Sequence, residues 1–225
     1  MREIILDTET TGLDPADGHR IVEVACVEVI NLLPTGQELH FYCNPERDMP
    51  EEAKAVHGLS SEFLNDKPLF LNHADRLTEF LQDARLVAHN AEFDMRFLQA
   101  EMKHCGRGRL GNEVVDTLQL ARRKYPGAGA SLDALCRRFG IDLSARSKHG
   151  AMIDTRLLAK VYLELMGGQQ PDLGLAASAG GQGQGAVSTS RRVARPPRAH
   201  APLENELAAH RLLLESLKEP LWLKA

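Results

Sequence analysis

Four carboxylates and one imidazole in this chain have types and spacings that can do chemistry together. Asp7 and Glu9 stand in Asp7-Thr8-Glu9-Thr10-Thr11-Gly12, straight after the apolar run Ile4-Ile5-Leu6. If that run is a strand, residues 7 and 9 project to the same side, about 7 Å apart along the chain. Like charges so placed repel, and a divalent cation turns the pair favourable. Asp94 closes the segment His89-Asn90-Ala91-Glu92-Phe93-Asp94, and His149 and Asp154 bound His149-Gly150-Ala151-Met152-Ile153-Asp154. Each has a plain structural reading alone. An acid in an early helical turn is favoured by the macrodipole, a loop His is polar surface, and Asp-x-Glu is a solvated strand end. Together they meet the requirements of two-metal phosphoryl hydrolysis. Mg²⁺ or Mn²⁺ takes oxygen ligands, and two ions about 4 Å apart can flank a scissile phosphate, one activating water and the other stabilising the departing 3′ oxygen. A His of near-neutral pKa takes the proton.

The elements that must position these groups follow from hydrophobic period and turn chemistry. Residues 2–6, 21–30 and 37–43 read as β-rich runs, separated by turn material at 12–18 and at Pro34-Thr35-Gly36, which predicts an antiparallel meander. Helices are expected over 75–81, 91–102, 116–125, after Ser131 and over 151–166, with short strands at 85–88 and 113–115. Asp94 then falls in a first helical turn, His149 just before a helix, and Asp154 about one turn inside it. The fold class is α/β, a mixed sheet with helices packed on it.

Composition narrows the class of protein. The chain has 225 residues, 43% hydrophobic and 26% charged, enough for one sizeable core. No apolar stretch is long enough for a membrane span, and the amino terminus is too short in apolar residues for a signal sequence. Cys26, Cys43, Cys105 and Cys136 have no CxxC spacing, so they read as reduced, and a cytoplasmic address is expected. Residues 1–166 carry 20 basic and 26 acidic side chains, the remainder 7 and 5. An acidic body argues against stand-alone duplex binding through a basic face. A nucleic-acid substrate would need metal ions or a partner to help hold it.

Residues 167–202 are a Gly, Ala, Gln and Pro mixture without aromatics, a disordered linker by composition. Beyond it Leu203, Leu207, Leu214 and Leu217 recur at helical spacing, Pro220 should stop that helix, and Leu221, Trp222 and Leu223 form an apolar hook. This predicts three parts: a domain over 1–166, a linker over 167–202 and a partner-binding tail over 203–225.

The segments DTETTG, HNAEFD and HGAMID resemble the three motifs of the DEDDh family of 3′→5′ exonucleases, which share a ribonuclease H-like fold. Ala88-His89-Asn90 and Val56-His57-Gly58-Leu59 are similar to that family's bacterial proofreading branch. The resemblance spans about residues 2–166. It implies that Asp7, Glu9, Asp94 and Asp154 ligate two divalent ions, Mg²⁺ or Mn²⁺, with Asp7 bridging both, and that His149 is the general base. It also implies that Glu9 and Thr10 contact the terminal nucleotide of a DNA 3′ end and that Leu13 wedges beside its base, while His57 reads as a structural or substrate-contacting residue rather than a catalytic one. Core or rim packing reads Leu13 equally well, and His89 reads as a partner of local backbone groups rather than as the base. Lys103, Arg107, Arg109, Arg122, Arg123 and Lys124 fit either a phosphate track or a solvated helix face.

The tail carries the resemblance further. In the proofreading branch a carboxy-terminal segment anchors the nuclease to the alpha subunit of DNA polymerase III, a role implied here for Leu214, Leu217, Leu221, Trp222 and Leu223. Gln170-Pro171-Asp172-Leu173-Gly174-Leu175 looks like a sliding-clamp peptide, with Gln170, Leu173 and Leu175 as its contacts. Tethering supplies effective concentration, so the nuclease needs little DNA affinity of its own. The implied activity is removal of mispaired 3′-terminal nucleotides as 5′-monophosphates during replication. Two other readings stay open, an RNA-trimming enzyme of the same family and a catalytically inactive adaptor.

Overall fold

Ile4, Ile5 and Leu6 form a run that is apolar on both faces of a strand, so it belongs inside a sheet covered on both sides. In the computed structural model, which describes residues 1–144, 146, 149–168 and 203–216, this run is the middle of β1 (Arg2–Thr10), the central strand of five. β2 (Ile21–Ile30) pairs antiparallel with β1, and β3 (Leu33–Tyr42) antiparallel with β2. On the other side β4 (Arg85–Ala88) and β5 (Val114–Asp116) add in parallel, giving the order β3-β2-β1-β4-β5.

Alternation along β1 divides the core into two layers. Ile4 and Leu6 face a cluster containing Phe70 and Leu77 of α3 (Phe70–Leu81) and Phe97 and Leu98 of α4 (Ala91–His104). Ile5 faces Leu135 of α6 (Leu132–Phe139) and Leu158, Val161 and Tyr162 of α7 (Ala151–Leu165). Between β5 and α6 runs α5 (Thr117–Lys124), capped by Asp116, whose carboxylate accepts from the N–H groups of Leu118 and Gln119. The result is the mixed sheet flanked by helices that the pattern predicts. Among the described residues no helix is long and apolar enough to cross a membrane. The four cysteines are free, and burial pushes the Cys26 thiol up to about 12, as inert core positions require.

Two expectations need correction. Pro34-Thr35-Gly36 is not the turn: β3 begins at Leu33, and the chain reverses at Asn31 and Leu32, both at positive φ (51° and 69°) between the paired Ile30 and Leu33. A two-residue hairpin with both φ positive matches the strand twist, and Pro34 is tolerated because β3 is an edge strand. Two helices were not anticipated, α1 (Glu51–His57) and α2 (Ser61–Asn65). Their signals are local: Glu51 and Glu52 in the first turn and left-handed Gly58 after the last for α1, and a Ser60 cap on the Phe63 N–H for α2.

The chain divides into two compact units, residues 1–176 and 177–225. In the second, α8 (Glu204–Ser216) bears exposed Leu203, Leu207, Leu212 and Leu213 at or near its start and along its length, with Leu214 half-buried. Gln170, Leu173, Leu175, Leu217, Leu221, Trp222 and Leu223 lie outside the described residues, as does most of the segment read as a linker.

Candidate active site

The far end of β1, beyond the apolar run, delivers Asp7 and Glu9 to one face and Thr8 to the other. Thr8 Oγ1 donates to Asp94 Oδ1 at 2.8 Å, which ties the second motif to the first across 86 residues. Asp94 is 3% exposed in the first turn of α4. That turn starts at Asn90, which takes the left-handed conformation (φ 68°) and donates its backbone N–H to Asp116 Oδ1 at 3.2 Å. Asp154 lies in the first turn of α7, 4% exposed. His149 is exposed at its side chain, and its backbone N–H donates to the carbonyl of Val56 in α1. A carboxylate oxygen from Glu9, one from Asp154 and a ring nitrogen of His149 all lie within 4.8 Å of one another, a spacing that could hold a metal ion.

The electrostatics are those of crowded, desolvated carboxylates. Burial first, then repulsion from Asp94, Glu9, Asp154 and Glu23, pushes the Asp7 carboxyl well above the usual carboxylate range. Burial and the charges of Glu23, Asp154 and Asp94 push Glu9 up to about 8. Burial raises Asp94 to about 7, against the lowering effect of the Thr8 hydroxyl. Hard oxygen donors crowded until three of them are pushed above the usual carboxylate range are what a divalent cation resolves, so these residues fit one.

The sequence missed two side chains that hold this arrangement. Glu23 of β2 stands opposite Glu9 in the strand register, and its Oε2 accepts the N–H of Ala151 at the start of α7 while Oε1 contacts His40 Nε2 at 2.7 Å. Arg146 lays its guanidinium on both oxygens of Asp154, Nε to Oδ1 at 2.6 Å and Nη2 to Oδ2 at 2.7 Å, and its Nη1 pairs with Asp133 of α6. A lone Glu in an alternating strand and an Arg in a polar loop carry no spacing signal, since their partners come from other elements.

Two clefts open on the cluster. One, of about 550 Å³, is lined by Glu9, Thr10, Leu13, His57 and Phe93 among others, so all four residues expected to touch substrate border the same space. Leu13 is 81% exposed, which excludes core packing. Thr10 Oγ1 donates to the Gly12 carbonyl at 2.6 Å, shaping the turn that presents Leu13. His57 is buried, and its Nδ1 accepts the N–H of Leu59. The other cleft, of about 830 Å³, takes in Asp7, Asn90, Arg122, Asp133, Arg146, His149 and Asp154. His89 borders it too, but its Nδ1 is engaged with Thr117 Oγ1 at 2.9 Å and burial lowers its pKa, in keeping with a local structural role. Of the basic residues noted in the sequence, Lys124 donates to the Leu165 carbonyl at the end of α7, and Arg107 pairs with Asp75. Only Arg122 among them lines this cleft.

The chain belongs to the exonuclease family, whose pattern, described as "Exonuclease", matches residues 4–162. Within it, the relatives are DNA polymerase III epsilon subunits: that of Rickettsia conorii is 55% identical over 76% of each chain, and that of Salmonella typhimurium 40% identical over 97% of this chain and 94% of its own. Among solved structures, exonuclease X in complex with 5′ overhanging duplex DNA superposes with a TM-score of 0.58 at 27% identity, covering 73% of this chain and 90% of that one. A complex of Escherichia coli exonuclease I with single-stranded DNA shares the fold, with a TM-score of 0.67 at 20% identity over 76% of this chain and 41% of that one. The chain is therefore a 3′→5′ exonuclease, of a family that generally uses divalent metal ions.

Proposed function

We propose that this exonuclease removes mispaired 3′-terminal nucleotides from DNA during replication, as the proofreading subunit of a DNA polymerase III. The observation that carries the chemistry is the meeting of Glu9, His149 and Asp154 within 4.8 Å, beside half-buried Asp7 and buried Asp94. Asp7, Glu9, Asp94 and Asp154 are the proposed ligands of two divalent ions, Mg²⁺ or Mn²⁺, which when bound supply Lewis acidity at the scissile phosphate.

The residues of the chain divide the remaining work. Thr10, Leu13 and His57 line the cleft beside Glu9 and hold the terminal nucleotide, Leu13 offering an apolar surface to the base. A frayed, mispaired end reaches that cleft more readily than a paired one, because unpairing has already occurred. His149 takes the proton of the attacking water. With Nδ1–H directed at Asp154 Oδ2, 3.2 Å away, Nε2 is the nitrogen that accepts it. Bond cleavage releases the 3′ oxygen of the shortened strand and a nucleoside 5′-monophosphate.

The test is stepwise digestion of a 5′-labelled DNA primer, paired or mispaired at its 3′ end, and of a matched RNA, with Mg²⁺ or with EDTA. Faster metal-dependent loss of mispaired DNA nucleotides is expected. Preference for RNA would favour an RNA-trimming role, and no cleavage of either an adaptor role.

For partners we infer the alpha subunit of DNA polymerase III, bound through residues 203–225, and a sliding clamp, bound through Gln170, Leu173 and Leu175, which places the chain in the cytoplasm. The relatives' name and their match along nearly the whole chain support association with the polymerase. The division into a domain over 1–166, a linker over 167–202 and a tail is part of the same reading. Removal of residues 203–225 should leave hydrolysis of single strands nearly intact and abolish binding to alpha. Unchanged clamp affinity after replacing Leu173 and Leu175 with Ala would remove the clamp from this account.

A further inference from the structure

Arg146 is tied to two catalytic groups at once. Its guanidinium takes both oxygens of Asp154, a bidentate pair that places a second positive charge where a cation would bind the same oxygens. Its Nη2 also lies 2.8 Å from His149 Nδ1. An N–H directed at Nδ1 needs the ring lone pair there, which puts the imidazole hydrogen on Nε2. The contact from Nδ1 to Asp154 Oδ2 demands the opposite tautomer, with hydrogen on Nδ1 and the lone pair on Nε2. With Arg146 donating to Nδ1 and the ring hydrogen on Nε2, neither ring nitrogen can accept a proton from water. The side chain is 9% exposed, and its third contact, to Asp133 on α6, does not involve the catalytic groups.

We propose that Arg146 is a latch that competes with the divalent cation for Asp154, so that cation binding and release of His149 are one event. The inference rests on the assignment of Asp154 as a metal ligand and His149 as base. When a cation takes Asp154, the guanidinium leaves Asp154 and Nδ1 and stays on Asp133. His149 can then turn its Nδ1–H to Asp154 and present Nε2 to water. Without the cation the base remains capped, which limits unproductive chemistry.

The experiment is Mn²⁺ binding by calorimetry on the full chain, comparing wild type with Arg146→Ala and Arg146→Lys, each first shown to melt cooperatively in EDTA. A buried charge-assisted fork of this kind should weaken cation binding about tenfold or more, so Arg146→Ala should bind Mn²⁺ correspondingly tighter. Arg146→Lys separates a latch from background charge: it keeps the positive charge but not the fork, and should also bind more tightly than wild type. Nitrogen NMR of His149 is the second readout. The wild-type hydrogen should move from Nε2 to Nδ1 on adding Mg²⁺, whereas in Arg146→Ala it should be on Nδ1 from the start. Wild-type affinity in Arg146→Lys, or weaker binding in Arg146→Ala, would overturn the latch while leaving the metal site standing. Wild-type affinity in Asp154→Asn would overturn the assignment on which the latch rests.

Discussion

Glu23 accepts the backbone N–H of Ala151, 128 residues further along the chain, with its Oε2 3.2 Å from the nitrogen. One carboxylate on β2 therefore sets where α7 begins, and with it the distance from His149 and Asp154 to Asp7 and Glu9. Glu23→Ala leaves that N–H and the His40 ring without their buried acceptor, a loss of about 2–3 kcal/mol in urea denaturation. Hydrolysis should fall more steeply than stability, because the third motif loses its register with the first. Glu23→Gln keeps one acceptor and should lie between. Equal activity in all three proteins at full folding would refute the positioning role.

Gly12 is a packing requirement. A Cβ built there would stand 2.3 Å from two ring atoms of His19, whose Nδ1 contacts Thr11 Oγ1 at 3.2 Å. In Gly12→Ala the imidazole must swing away, at about 1–3 kcal/mol for an overpacked site, and the turn presenting Leu13 loosens. A raised KM for single-stranded DNA with little change in circular dichroism is the expected signature.

Leu13→Ala should be nearly silent in stability, within about 0.5 kcal/mol, because the side chain is 81% exposed. Its cost should appear in the rate ratio between mispaired and paired primer ends. A large loss of thermal stability would instead make Leu13 part of the packing.

The raised carboxyls define a pH dependence whose sign can be worked out. Asp7, Glu9 and Asp94 hold protons in the folded, cation-free protein at pH values where the unfolded chain has released them, so folding takes up protons there. Stability without divalent ions should therefore fall as pH rises from about 4, the usual carboxyl range, to about 8, where Glu9 ionises. Saturating Mg²⁺ should flatten that slope, with protons released on binding, measurable as a dependence of the calorimetric heat on buffer ionisation enthalpy. Melting temperatures that rise over this interval in EDTA would contradict it.

What was legible in the sequence is what short-range spacing encodes. Asp7 and Glu9 two apart on a strand, Asp94 in a first helical turn, and His149 five before Asp154 are local patterns, as are β2 and β4, whose residues match their expected bounds. Some local signals point the wrong way. Pro34 and Gly36 outweighed Asn31 and Leu32, because positive φ at a Leu has no signature in residue type. Glu51, Glu52 and Gly58 mark the ends of α1, but its seven residues are too few to show an apolar stripe.

By itself the sequence determined which groups can do chemistry and which ends of which elements carry them, because residue type and period act over one or two turns. Tertiary structure alone decided the joints between those pieces: Thr8 on Asp94, Glu23 on Ala151, and Arg146 held between Asp133 and Asp154. Thr8 and Glu23 meet partners far along the chain, and Arg146 bridges two different helices. In each joint, burial gives a hydrogen bond or ion pair its strength, and burial is a property of the packed core that no stretch of sequence states.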